Sequence, residues 1–459
     1  MPDPDREAES TPRRRLQVDI PQALDMAMQF HQQGWLEPAE EFYRAVLKLQ
    51  PGEPNALHYL GVILHQTGRS EEGIGLLRAA IELRPDWADA HNNLGNVLKE
   101  ERRLEESAAS YRRAAELTPE DPGVLNNLGV VLRALDRSSE AEELLRRATT
   151  IAPAHAEAWF NLGNLLARNG RADEAAAAVQ KAVTLKPGRR FAWHRLVSLL
   201  GRLGRKDDAR RVFDEWQAFQ PHDDSARHLR AAVLGEETPL RASDAYVRDL
   251  FAGFAEDFDT RLASLEYRAP QLVAGAIERA LGDDRCGLRI LDAGVGTGLC
   301  GPLLRPRAAQ LTGVDLSPKM LELAAKRGDY DVLEEAELTS WLAATDRNFD
   351  LAVCADTLCY FGSLDDVLGG FARVIVPGGL LAFTVELSVS GDAEPFRLQY
   401  HGRYNHAEAY VREATASAGF RVRRIERETL RLELGAPVGG LLVLAERHSP
   451  SERGGSAID

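Results

Sequence analysis

Prolines at positions 51, 85, 119, 153, 187 and 221 stand 34 residues apart. A fixed period of that length demands a stack of equal helical units rather than one globular core. The same skeleton recurs inside each period. Leu60-Gly61, Leu94-Gly95, Leu128-Gly129 and Leu162-Gly163 stand in register, followed by Leu196-Val197. Twelve residues beyond each comes a small residue: Gly73, Ser107, Ala141, Ala175 or Ala209. Four further on comes a larger one: Leu77, Tyr111, Leu145, Val179 or Phe213. The small residue marks a close crossing of two helices, and the larger one is expected to fill the gap between repeats. Each proline ends the second helix, because it lacks an N–H and clashes with the preceding turn.

This skeleton resembles the tetratricopeptide repeat (TPR). Six units are expected across residues 20–223, the first degenerate but keeping Ala39 and Tyr43. Ser225 to Leu234 reads as a helix capping the last apolar face, within a linking segment 224–243. Asn93, Asn127 and Asn161 recur at one position, and stacking would set them as a ladder along the concave surface. An amide both donates and accepts, so such a ladder can hold a peptide backbone without reading its side chains. The text His91-Asn92-Asn93-Leu94-Gly95-Asn96 is similar to the repeats of O-GlcNAc transferases, where such a ladder holds extended polypeptide. The competing reading is that these asparagines bond within the array, since a repeat identifies an architecture and not a ligand.

Composition excludes several classes. No run of ~18 apolar residues is present, so no membrane span is expected. The net charge of −14 is spread along the chain, which disfavours nucleic acid as a partner. Residues 1–19 and 448–459 read as flexible tails, without a secretory signal. Cys286, Cys300, Cys354 and Cys359 lack Cys-x-x-Cys spacing or a histidine pattern, so neither metal nor disulfides are expected. Reduced thiols in a cytoplasmic protein are the expectation.

From Asp244 the repeats give way to apolar strands alternating with helical stretches, through residue 447. Strands are expected near 288–292, 310–315, 330–336, 349–354, 379–385, 419–427 and 439–446, the last two as an antiparallel edge. Strands alternating with helices imply a mostly parallel sheet covered on both faces. The first strand runs into Asp292-Ala293-Gly294-Val295-Gly296-Thr297-Gly298. Such a turn lets the backbone approach a nucleotide closely. The dinucleotide pattern G-x-G-x-x-G needs glycine at position 299, which is Leu299. The observed Asp-x-Gly-x-Gly-x-Gly resembles the first motif of the class I methyltransferases, which bind S-adenosylmethionine. Asp315 ends the second strand, placed to accept hydrogen bonds from ribose hydroxyls. A helix cap near Ser317 is the other use for that carboxylate.

The resemblance implies a seven-stranded, Rossmann-like sheet following the helical solenoid. It places Glu337 near the adenine, where Asp is more frequent, with Leu316, Leu338 and Ala355 also at the donor. Pro377-Gly378-Gly379 would turn into the fifth strand. Further stretches, Tyr246 to Phe251, Phe254-Ala255-x-x-Phe258-Asp259, Tyr267 to Pro270, Leu299 to Leu304 and Gly402-Arg403-Tyr404-x-His406, are similar to bacterial TPR-containing methyltransferases. That group is more distantly similar to trans-aconitate and malonyl-carrier O-methyltransferases. It implies the same two parts in the same order, and names no acceptor.

Methyl transfer needs alignment above all, with a base only when the nucleophile carries a proton. Asp356 and Tyr360 follow the fourth strand and are candidates to face the acceptor. Arg403, Tyr404 and His406 lie in a connection that commonly walls the acceptor in this fold: Arg403 to hold a carboxylate, His406 as base. All three serve equally well to order a loop. Phe254 and Phe258 are either helix core or a lid on the donor. The favoured reading is a methyltransferase whose repeats recruit a peptide, protein or carrier-bound acceptor. The rivals are a small-molecule methyltransferase with repeats for assembly, and an adaptor with a vestigial donor domain.

Overall fold

The computed structural model describes residues 19–252, 258–282, 285–388, 394–433 and 436–448. The expected tails, and Phe254, lie outside the described residues apart from Asp19 and His448. The chain divides into two compact units, Met1–Lys186 and Pro187–Asp459.

The first unit is built of helix pairs: α1 (Ile20–Gln32) with α2 (Leu36–Leu49), then α3 (Pro54–Gln66) with α4 (Ser70–Leu83). Next come α5 (Ala88–Glu100) with α6 (Leu104–Leu117) and α7 (Pro122–Ala134) with α8 (Ser138–Ile151). The last pair is α9 (Ala156–Arg168) with α10 (Ala172–Leu185). The small residues do what their period implied. A Cβ on Gly95 would stand 2.7 Å from the Tyr111 ring, and one on Gly163 2.5 Å from Val179. The larger residue therefore covers the glycine of its own repeat, rather than only the gap to the next.

The second unit begins with the sixth pair, α11 (Arg190–Arg202) and α12 (Lys206–Phe219), and the cap α13 (Asp224–Leu234). Asp223 caps α13 by accepting from the Ser225 and Ala226 amides. Two short helices, α14 (Asp244–Ala252) and α15 (Phe258–Ser264), precede α16 (Ala269–Leu281). Then strands and helices alternate: β1 (Leu288–Ala293), α17 (Gly301–Leu304), β2 (Ala308–Asp315), α18 (Pro318–Arg327), β3 (Val332–Glu335) and α19 (Leu338–Ala344). They continue with β4 (Phe349–Cys354), α20 (Asp365–Val374) and β5 (Ile375–Leu387). A short hairpin, β6 (Phe396–Leu398) and β7 (Tyr404–His406), leads to α21 (Glu408–Ser417), β8 (Phe420–Glu433) and β9 (Ala436–Arg447).

Strands β3, β2, β1, β4 and β5 lie side by side and parallel, as right-handed crossovers through helices require. Strand β9 runs antiparallel to β5, and β8 antiparallel to β9. Alternate strand residues face opposite cores. Leu291 and Ala293 join the layer of α19, α20 and α21, while Ile290 joins that of α16 and α17. Pro377-Gly378-Gly379 lies inside β5, at a register irregularity, rather than before it.

The hairpin was not legible in the sequence, and it matters most to the site. Glu386 of β5 pairs with Gly440 of β9 on one edge and with Asn405 of β7 on the other. The second edge carries β4 as far as Phe383. Strand β7 thus takes over where β4 stops, above the loop at the carboxyl end of β4.

Candidate functional site

Beside the glycine turn is a cavity of about 330 Å³ at the carboxyl ends of the parallel strands. Gly294, Gly296 and Gly298 have φ of +76°, +53° and +85°, which L side chains rarely adopt. Behind the turn, Asp292 is 1% exposed and accepts from the Tyr330 hydroxyl at 2.6 Å. Burial pushes its carboxyl up to about 7 against the lowering effect of that bond. At the end of β2, Asp315 accepts from the Gly296 amide at 2.8 Å and the Ser317 amide at 2.9 Å. It braces the turn and the start of α18 while presenting its carboxylate to the cavity.

Gly294, Gly296, Asp315 and Leu316 line this cavity, as do Glu337, Leu338, Ala355 and Phe258. Asp292 and Gly298 are absent from its lining and support it from behind. Glu337 also caps α19, accepting from the Thr339 amide at 3.0 Å and from the Ser340 amide and hydroxyl at 2.8 Å each. Phe258 meets Phe251 edge-on at 5.8 Å, and Phe251 meets Tyr360 at 5.7 Å, forming an aromatic wall. Helix α15 is latched to the turn. Asp259 accepts from the Thr297 hydroxyl and the Arg327 guanidinium, and Arg327 Nε also donates to the Thr297 carbonyl at 2.6 Å.

The other end of the cavity is charged. Asp356 adopts φ +55°, and its amide donates to the Thr384 hydroxyl at 2.9 Å. Arg431 Nη1 binds both Asp356 oxygens, its Nη2 binds Glu386, and its Nε binds Glu433 at 2.8 Å. Arg403 Nε donates to Glu386 at 2.6 Å, and its Nη2 to Glu433. A register shift between Thr429 and Arg431 turns Arg431 inward, where it is 3% exposed. Burial alone would raise Glu386, but the two arginines override it and hold the carboxyl at about 2. Burial raises Asp356 despite Arg431. Asp356, Cys359 and Glu386 offer ligand atoms within 4.8 Å of one another, yet both carboxylates already accept from guanidinium groups. That pairing leaves a cation little to neutralise.

The structure brings Asp356 and Arg403 to the cavity but not Tyr404 or His406. Tyr404 is fully buried and donates to the Pro239 carbonyl at 2.7 Å. His406 is fully buried, and its Nε2 lies 2.9 Å from the Phe361 carbonyl and 3.1 Å from that of Gly362. Burial lowers its pKa to about 4 against those two bonds. It fastens the hairpin to the loop after β4 and has no route to a substrate proton. Arg403, expected to hold a carboxylate, is already held between two. Sequence reasoning missed Glu386, Arg431 and Glu433, which no local motif marks.

In the first unit the asparagines bond from repeat to repeat. Asn93 Nδ2 lies 2.8 Å from His58 Nε2, Asn127 donates to Asn92 at 3.2 Å, and Asn161 to Asn126 at 2.8 Å. Each is half-buried. The amide nitrogens are thus engaged inside the array, as the competing reading held.

A family model described as a methyltransferase domain matches residues 291–383. One model of the tetratricopeptide repeat matches 25–86 and 126–190, and a second such model 86–154. Human methyltransferase-like protein 27 is 35% identical over 139 residues, 30% of this chain and 56% of that protein. The ubiquinone biosynthesis O-methyltransferase of Xanthomonas oryzae pv. oryzae is 27% identical over 160 residues, 32% of this chain and 65% of its own. The alignments thus span 56% and 65% of these relatives' lengths. Among solved structures, the magnesium protoporphyrin IX methyltransferase of Synechocystis is 20% identical with a TM-score of 0.36, covering 44% of this chain and 99% of that one.

Proposed function

We propose that this chain, which joins tetratricopeptide repeats to a class I methyltransferase domain, uses S-adenosylmethionine as its donor and receives its acceptor through the repeats. The observation that carries the donor is the junction of Asp315 with the Gly296 amide at the cavity wall. A carboxylate there can accept from a ribose, and Gly296 has no atom within 4 Å of where a Cβ would stand. The apolar faces of Leu316 and Leu338 suit an aromatic base. Bound there, the donor supplies a methyl carbon activated by positive sulfur. The chain's own work is to position the acceptor and to exclude water beneath the aromatic wall and the latched α15.

Calorimetry on the full chain tests the donor. S-adenosylmethionine and S-adenosylhomocysteine should both bind, and Asp315→Asn should weaken each by ~10- to 100-fold, the loss of a charged hydrogen bond or two. Absence of binding to the native chain removes the enzyme reading and leaves the adaptor.

The peptide or protein acceptor rests on the repeats, whose architecture commonly serves protein partners. A cavity of about 330 Å³ is of the size a nucleoside donor fills, so a large acceptor would insert no more than a side chain or a carrier arm. Free metabolites with repeats used for assembly form the alternative. Mass spectrometry of methylated species captured by the full chain distinguishes the two. No described helix is long and apolar enough to cross a membrane. The four free cysteines support a reducing, cytoplasmic setting.

A further inference from the structure

The charges at the far end of the cavity select among nucleophiles. With all three carboxylates ionised, Arg403 and Arg431 supply two positive charges against Asp356, Glu386 and Glu433, leaving one net negative charge in a largely buried cluster. Arg431 is consumed by all three carboxylates. Of the two carboxylates of this cluster that line the cavity, Asp356 has both oxygens bound, whereas Glu433 Oε2 has no hydrogen-bond partner, since both guanidinium bonds go to Oε1. The Tyr267 and Tyr360 rings line the same end.

Three acceptor classes meet this end differently. A carboxylate would bring a fourth anion to two cations already spent, and like charges in a low dielectric repel strongly. An amine would be kept protonated by the net negative charge, its lone pair occupied. A hydroxyl carries no charge to repel and has its lone pairs available. Its O–H needs a proton acceptor only as the new bond forms, which an ionised carboxylate provides.

We infer, resting on the donor reading above, that the group methylated is a hydroxyl, and that Glu433 Oε2 receives its proton. The hydroxyl oxygen's lone pair forms the O–C bond as the C–S bond breaks, and that bond's electron pair goes to sulfur, leaving a neutral thioether. The proton freed from oxygen passes to Glu433, and the product is a methyl ether. The groups facing Glu433 are Arg403 and His401 near the hairpin, Arg431 of its own strand and Glu386 of β5, with burial lowering the His401 pKa to about 4. The two arginines keep it ionised at neutral pH, overriding the effect of burial.

Two measurements on the full chain test this. First, the chain saturated with S-adenosylhomocysteine is titrated with benzyl alcohol and with benzoate. The alcohol should bind at least fivefold more tightly, and Glu433→Gln, by removing a negative charge, should narrow the difference. Equal or tighter benzoate binding, or no binding of either, overturns the inference. Second, methyl-labelled S-adenosylmethionine is incubated with the chain and cell extract. Label in alkali-stable ethers, lost with Glu433→Gln while donor affinity stays within twofold, supports it. Alkali-labile esters, N-methyl products or no transfer by a donor-loaded chain overturn it. Failure to bind S-adenosylhomocysteine is the separate failure of the donor reading.

Discussion

Arg431 holds both carboxylate oxygens of Asp356, at 2.9 and 2.8 Å, across 75 residues of chain. That clamp fixes the loop after β4 in a left-handed conformation at Asp356, with φ +55°, which a non-glycine residue keeps only under constraint. Arg431→Ala leaves Asp356, Glu386 and Glu433 with one guanidinium between them. Breaking a buried pair in this way costs ~3–5 kcal/mol, and the denaturant transition of the second unit should fall accordingly. Arg431→Lys should recover less than half, because one ammonium cannot reach three carboxylates.

The glycine turn predicts a graded pair of substitutions. At Gly294 a Cβ would collide with the Thr357 side chain, and φ is +76°. At Gly296 φ is +53°, but no atom lies within 4 Å. Gly296→Ala should therefore cost only the backbone strain of ~1–2 kcal/mol. Gly294→Ala should cost more and abolish donor binding, and adding Thr357→Ala should relieve only part of the collision, because the Thr357 Cβ itself would stand 2.8 Å away. Thermal denaturation of the three variants gives the ranking.

His406 carries a pH signature. Its pKa in the folded chain is about 4, below the ordinary 6.5, so the unfolded chain binds the proton more tightly. Its contribution is complete above pH ~6.5 and is lost as pH falls toward 4, at ~1.4 kcal/mol per unit. His406→Asn does not titrate. The stability gap between native chain and variant should narrow across that window, and a constant gap would refute the assignment.

Truncation should be sensitive to one repeat. Arg190 at the start of α11 pairs with Asp223 at 3.1 Å and with Asp249 of α14. His228 of α13 bonds the Gly402 carbonyl at 2.8 Å, next to Arg403. A chain beginning at Pro187 should fold and bind the donor as the full chain does. One beginning at Asp224 should lose affinity, with raised hydrogen exchange across 396–406. Equal affinity in the two truncates would show that the sixth repeat is dispensable to the site.

What could be read from sequence follows the range of the interactions. The glycine turn, Asp315 and the strands flanking them all fall within one continuous stretch, 288–315, and their spacing encodes their geometry. The repeats were legible for the same reason. Arg431 was not, because Arg421, Arg423, Arg424, Arg427 and Arg431 share one strand and only the register shift sends the last inward. Glu386 ends an apolar strand and reads as its polar boundary, yet it is 4% exposed between two strands. His406 misled in the opposite sense. A histidine in an acceptor-side connection suggests proton transfer, but this ring is fully buried and its Nε2 is spent on two backbone carbonyls.

Strand β5 is longer than its neighbour β4, and the surplus gives the β6–β7 hairpin a place to pair. The hairpin contributes Arg403 to the cavity, while the turn proposed to hold the donor keeps its own bonds among Gly296, Asp315 and Ser317. The two recognition tasks are thus written in separate stretches of text. Exchange of the 396–406 segment among relatives could retune the acceptor while leaving the donor untouched, so acceptor choice can drift faster than the reaction it serves.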